Sequence, residues 1–259
     1  IPGLSAEEYP ELPNVQQQSD LVLKQGVLKS MIDQTLFAIA TTDSKPVHTG
    51  SLFDIKDSCV TLVSVDGYRL ALRREPIVSD LTTQFIVPGK TLSEISKLLK
   101  EEEEEVYLVV SSKHIVFRIG GYYVVSRLLE GDFLDYNAAI PKLSKTTVKV
   151  NTRSLTDAVE RTSLLISDRL RSLAVTEQTV QLNCSTTMGK AHDEVECEMT
   201  GEPVSMGFNN KYLLDALKAS DCDMIKMEIN GALSPMRVMP LEGESFLFLV
   251  LPVRVKNDD

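Results

Sequence analysis

The chain has 259 residues, 43% of them hydrophobic, with 37 acidic against 27 basic side chains and a formal net charge of −10. That balance excludes a protein that coats nucleic acid over its whole surface, while leaving room for a local basic face. Trp is absent and aromatics make up 6% of the chain, which argues against stacking platforms for single strands, and no run approaches the ~18 apolar residues of a membrane span.

At roughly 150 residues per domain, this length implies two domains, each with its own core. Residues 1–18 carry Pro10, Pro13 and several Glu and Gln with no sustained period. They read as an extended linker. The start at Ile1-Pro2-Gly3-Leu4 lacks an initiator Met and is no signal peptide, which suggests a fragment of a longer protein.

From about Ser19 strands and helices alternate. Leu28, Met31, Ile32, Leu36 and Ile39 form one stripe, which predicts a helix over 27–39. Strand-like runs follow at 47–54 and 59–65. Asp66-Gly67 between apolar runs is a two-residue hairpin signal, with the return strand at 68–72. A strand at 83–88 feeds a second helix in which Leu92, Ile95 and Leu99 share a face. Glu101 to Glu105 reads as a solvated charge run. Strands are expected at 106–111, 114–119 and 122–129, with Gly120-Gly121 as a turn. Gly131 to Lys142 is the least regular stretch, and the domain boundary is placed near its end.

The second half repeats that order. A strand at 147–150 precedes a third helix at 154–166, with Leu155, Ala158, Val159 and Thr162 inward. Strands are expected at 173–176, 178–184 and 193–199. A strand at 203–208 leads into a fourth helix at 210–219, and strands at 223–229, 235–239 and 246–251 close the chain. Leu28, Leu92, Leu155 and Leu213 open the four helical stripes at intervals of 64, 63 and 58 residues. Self-similarity of this kind marks a structural unit used repeatedly. The expected fold class is α+β, with two similar domains, each having two helices packed on curved antiparallel sheets.

Few residues suggest catalysis. His48, His114 and His192 sit near no nucleophile motif. Cys59, Cys184, Cys197 and Cys222 have no C-x-x-C spacing and read as reduced thiols of a cytosolic protein. No metal-ligand cluster or phosphate-binding Gly loop is seen, and no cofactor is expected. An enzyme reading would have to rest on Asp66, Arg69 and His48. Basic residues recur on the helices instead: Lys29, then Lys90, Lys97 and Lys100, then Arg153 and Arg161, then Lys211 and Lys218. On unrelated helices they would only aid solubility. On four equivalent helices they can sum to one face that binds phosphates without reading sequence. At the C-terminus, Leu251-Pro252-Val253-Arg254 follows an apolar strand. Pro252 cannot donate to a ladder, so this segment is expected to leave the sheet as an exposed apolar patch.

Several motifs together resemble one family. Val65-Asp66-Gly67-Tyr68-Arg69-Leu70-Ala71 resembles the D-G-[HY]-R-L-A signature of the bacterial DNA polymerase III beta subunit, the sliding clamp. Phe85 to Leu99 is similar to its I-V-P-x-K-x-L-x-E-L text. The run Gly131 to Tyr136 with Ile140-Pro141-Lys142 resembles its G-x-F-P-D-Y…[IV]-P segment. Phe208-Asn209 with Tyr212 to Leu217 resembles F-N-x-x-Y-[LV]-L-D-x-L, and Leu251 to Arg254 resembles M-P-[MV]-R. The motifs keep the family's order.

The resemblance implies a DNA clamp fold, with residues 1–18 as a linker and the end of a missing first domain. Residues 19–143 would be the clamp's middle domain and 144–259 its C-terminal domain. It implies a homodimeric ring around double-stranded DNA, which helices face without sequence preference, and a bacterial cytoplasmic, nucleoid-associated role. It also implies a cleft between these two domains that takes short apolar motifs of the replicative polymerase, the clamp loader and repair proteins. Carried onto this chain, the cleft comprises Gly67, Tyr68, Arg69, Leu70, Leu134, Ala139, Asn209, Tyr212, Leu249, Val250, Leu251, Pro252, Val253 and Arg254. Departures occur at Leu134, where the family often has Pro, at Ala138 and Ala139, where Arg and Val occur, and at His48, where Leu is common. A three-subunit clamp of the eukaryotic kind fits the length but not the motifs.

Overall fold

A computed structural model describes residues 19–42, 45–100, 103–164, 170–176, 178–186 and 189–253. The first half opens with strand β1 (Ser19–Lys24) and helix α1 (Gln25–Asp33). Then come β2 (Gly50–Lys56), β3 (Cys59–Val65), β4 (Arg69–Pro76), β5 (Thr83–Pro88) and helix α2 (Gly89–Leu98). Strands β6 (Glu105–Val110), β7 (His114–Ile119) and β8 (Tyr122–Arg127) follow. A short helix α3 (Tyr136–Ala139) lies in the stretch read as irregular.

The second half contains β9 (Thr146–Asn151), α4 (Thr152–Ser163), β10 (Leu170–Val175), β11 (Thr179–Thr186) and β12 (Gly189–Gly201). It continues with β13 (Val204–Phe208), α5 (Asn210–Ala219), β14 (Met224–Ile229), β15 (Met236–Pro240), β16 (Phe246–Val250) and β17 (Pro252–Val253). Helix α1 packs on α2, and α4 packs on α5. The four stripe-opening residues Leu28, Leu92, Leu155 and Leu213 are each fully buried, at 0% exposure. The repeat in the sequence is therefore a repeat of core anchors.

The strands form a four-stranded sheet, β1-β6-β7-β8, and a thirteen-stranded sheet running from β17 to β5. The larger sheet is continuous because β16 pairs antiparallel with β4, from Phe246 opposite Arg73 to Val250 opposite Arg69. That ladder joins the two halves. β3 reads as a mainly apolar run, interrupted by Thr61 and Ser64, because both its faces are covered. Val60 and Leu62 enter one core with Met31, Leu92 and Phe117, while Val63 and Val65 enter another with Leu70, Leu249 and Tyr136. A third core gathers Leu155, Val159, Leu213, Leu217 and Phe248.

Several expectations are corrected. The first helix ends at Asp33, and Leu36–Ala38 forms a separate 3₁₀ turn. The Thr35 hydroxyl donates to the Met31 carbonyl at 2.8 Å, capturing a group the helix end leaves free. The strand expected from residue 47 begins at Gly50, because Pro46–Thr49 is a 3₁₀ turn. β4 runs to Pro76, held beyond residue 72 by its pairing with both β3 and β16. β12 is one strand of 13 residues that pairs first with β11 and then with β9. The tail does not leave the sheet freely. Pairing with β4 ends at Val250, and Pro252 and Val253 then lie opposite Phe208 and Gly207 of β13, half-buried. A Pro is tolerated there because β17 is an edge strand. Arg254, the linker at 1–18 and the tail beyond 254 lie outside the described residues.

Candidate functional site

The β3–β4 hairpin carries the densest set of predicted residues. Gly67 has φ of +91°, a backbone region costly for other residues. The Asp66 carboxylate accepts from the backbone N–H groups of Tyr68 at 2.9 Å and Arg69 at 3.1 Å, fixing the turn. The Leu251 N–H donates to the Tyr68 carbonyl at 3.0 Å, so the hairpin and the C-terminal segment meet directly.

Side chains alternate across the β4–β16 ladder, and this divides the predicted site between two faces. On the helix-bearing face, Arg69 Nε donates to Asp66 Oδ2 at 3.0 Å, and a terminal nitrogen bonds Asp215 of α5. The guanidinium carbon lies 4.6 Å from the Tyr212 ring centroid and 5.4 Å from that of Phe37. Tyr68 stacks on Tyr212 with centroids 6.0 Å apart. Asn209 caps α5, its side chain accepting from the Lys211 N–H at 2.9 Å. Val250 belongs to the C-terminal core on this side.

On the other face, Leu70 and Leu249 share a cluster with Tyr136, against which Phe133 and Ile140 pack. Leu134 and Ala139 stand exposed on the segment that supplies those three residues. The accessible members are thus Gly67, Tyr68, Leu134 and Ala139, with Asn209, Tyr212, Leu251, Pro252 and Val253 half-buried. Leu70, Arg69, Leu249 and Val250 are buried beneath them.

Two residues missed in the sequence matter here. Asp54 on β2 is 1% exposed and accepts from the Tyr136 hydroxyl at 2.5 Å, Gln84 Nε2 at 2.9 Å and Lys56 Nζ at 3.0 Å. Burial pushes its carboxyl up, but those hydrogen bonds and the Lys56 charge outweigh burial and hold its pKa below the ordinary value. Burial and then the Asp54 bond push the Tyr136 phenol up. The only sequence signal for Asp54 was an acid inside an apolar strand run.

The basic residues occupy helix faces or their ends, and Lys90, Lys97, Lys100, Arg153, Arg161, Lys211 and Lys218 are exposed. Lys29 and Lys218 border one groove between α1 and the end of α5, so the two halves contribute to the same surface. Several are ion-paired: Lys97 with Glu94 at 2.8 Å, Arg161 with Asp193 at 2.8 Å and Lys218 with Glu160 at 2.6 Å. Exposed pairs of this kind are weak and readily exchanged for other anions.

The enzyme candidates do not converge. His48 lies edge-on to Phe133, centroids 5.4 Å apart, and burial with the nearby Lys45 charge lowers its pKa. Asp66 and Arg69 pair with each other on the opposite side of the ladder from that cluster. Among the described residues, no three His, Cys, Asp or Glu side chains are grouped as a metal site, and no helix is long and apolar enough to cross a membrane.

Comparison with known proteins gives two matching family models. Residues 22–135 match the family model for the DNA polymerase III beta subunit central domain, and residues 137–254 match that for its C-terminal domain. The beta sliding clamp of Bacillus subtilis is 32% identical over 260 residues, covering 97% of this chain and 69% of that protein. That of Halalkalibacterium halodurans is 35% identical over 263 residues, with the same coverage. Among solved structures, the Bacillus subtilis DNA polymerase sliding clamp superposes with a TM-score of 0.92 at 31% identity, covering 97% of this chain and 68% of that one. The Pseudomonas aeruginosa DNA polymerase III subunit beta gives a TM-score of 0.92 at 27% identity, covering 97% and 70%.

Proposed function

The chain belongs to the DNA polymerase III beta subunit family of sliding clamps, and from that membership we propose that it is a processivity factor whose two halves, divided near residue 143, serve as the middle and C-terminal domains of a ring around duplex DNA. Its work is mechanical. It holds partners on DNA by encirclement and performs no chemical step. The four core-anchored helices carry the basic residues toward DNA, which they meet through phosphates and without base readout. The double helix, the replicative polymerase, the clamp loader and repair proteins are the partners, and the bacterial cytoplasm, at the nucleoid, is the place of action.

Partners dock by a short apolar motif where the two halves meet. The observation that carries this reading is the junction of the Asp66-Gly67 hairpin with the C-terminal segment, through the Leu251–Tyr68 hydrogen bond and the β4–β16 ladder. Buried Leu70 and Leu249 provide an apolar floor, while Tyr68, Leu134, Ala139 and half-buried Leu251 and Pro252 supply the accessible contacts. Apolar anchors entering such a site carry most of the affinity in peptide recognition.

A fluorescein-labelled peptide ending in a Leu-Phe pair tests this by fluorescence anisotropy. Saturable binding is expected, weakened about tenfold by Leu251→Ala and abolished by deleting 251–259. Unchanged binding by a deletion variant that still folds overturns the cleft.

A further inference from the structure

Resting on that cleft reading, we propose that the bond from the Tyr136 hydroxyl to the Asp54 carboxylate is a latch that sets the position of the cleft's interdomain rim, making Tyr136 and Asp54 positioning residues for the partner peptide. The rim is the segment 131–140. Leu134 lies two residues before Tyr136 and Ala139 three after it, and both are exposed. Neither can be placed by its own burial. The four-residue α3, capped by Asp135, is too short to be stable by itself. Its position comes from Tyr136 together with Phe133 and Ile140, which pack against the same cluster.

Tyr136 holds two things. Its ring, 4% exposed, packs in the cluster that contains Leu70 and Leu249. Its hydroxyl reaches Asp54 at 2.5 Å, a charge-assisted bond made away from water. Among the described residues, this is the side-chain hydrogen bond that ties 131–140 to the sheet. Asp54 itself cannot drift, because Gln84 and Lys56 hold the same carboxylate.

Packing by Phe133, Ile140 and the Tyr136 ring holds the segment on one side and leaves it open on another. A cavity of about 590 Å³ lies between the segment and the sheet, with Leu52, Asp54, Gln84 and Ile86 on one side and Phe133 and Leu134 on the other. Close-packed groups resist displacement, and a segment beside open space does not. With the hydroxyl removed, the ring keeps its apolar contacts while the segment gains freedom to settle toward the cavity. Leu134 and Ala139 then present a different rim to the peptide.

The test uses Tyr136→Phe, Asp54→Asn and the double variant in this chain. Two fluorescein-labelled peptides are compared, one ending in Leu-Phe and one in Leu-Leu. Thermal melts report folding, and amide hydrogen exchange reports the segment. The expected result is about tenfold weaker binding of the Leu-Phe peptide by Tyr136→Phe. The affinity ratio between the two peptides should change, and amides of 131–140 should exchange faster. The loss caused by Tyr136→Phe should be smaller in the Asp54→Asn background, since the amide oxygen offers the phenol only a neutral form of the same bond. Equal losses for both peptides alongside a lowered melting temperature would assign Tyr136 a structural role only and overturn the latch. So would unchanged affinity in a variant whose segment exchanges faster. Failure of the unaltered chain to bind either peptide overturns the cleft itself, and the latch with it.

Discussion

Arg69 shows how much one side chain can join. It spans the hairpin through Asp66, α5 through Asp215 and the 3₁₀ turn through Phe37, with its side chain 9% exposed. A planar, permanently charged fork suits two carboxylates and two aromatic faces at once, and an ammonium does not. Arg69→Ala takes this partner from Asp215 and leaves Asp66 only its backbone N–H bonds, at a half-buried junction. It should cost about 2–3 kcal/mol in urea unfolding, and Arg69→Lys should recover less than half of that. Asp54 has a different signature. Its pKa is lower folded than unfolded, so its stabilisation is present above the ordinary 3.8 and is lost as pH falls below that value toward the folded pKa. Acid titration of stability should show this loss in the unaltered chain, and Asp54→Asn should remove it. The Asp-Gly turn was legible from neighbours in sequence. The Arg69–Asp215 bond was not, because its partners are 146 residues apart.

At the scale of elements, apolar periodicity found the helices and local chemistry set their ends. Asn151 accepts from the Ser154 N–H at 2.9 Å and starts α4 two residues before the periodic stripe suggested. Asn151→Ala should therefore cost about 1 kcal/mol, measured by thermal or urea unfolding, with little effect on peptide binding. α1 stops early because Thr35 turns its hydroxyl back to the Met31 carbonyl, although Leu36 and Ile39 continue the apolar spacing. α3 left no periodic trace, since four residues do not complete a repeat. β17 escaped notice for another reason. Its two residues are strand only because β13 offers a free edge beside them.

Across the whole molecule, the continuous sheet is the feature that governs behaviour. β16 belongs to the second half by sequence and completes the first half's sheet by pairing with β4. The core of the second half accordingly includes Ala38 and Ala71 from the first. Two domains joined by a loop unfold separately. These two share a ladder and a core, and they should unfold in one transition, with calorimetric and van't Hoff enthalpies equal within error. The groove bordered by Lys29 and Lys218 likewise exists only because the halves are held side by side.

Sequence alone determined the repeated helical anchors, the Asp-Gly hairpin, most strands and the family, because each of these rests on residues that are near neighbours or on motifs in a set order. Tertiary structure decided which side of the ladder each candidate residue takes and which of them water can reach. It also decided that Pro252 rejoins a sheet and that Tyr136 finds Asp54. Periodicity states that a side chain is buried without naming what buries it. The partner is chosen by the register of strands far apart in the chain, and a single-residue shift of β16 against β4 would exchange the faces of Leu249 and Val250.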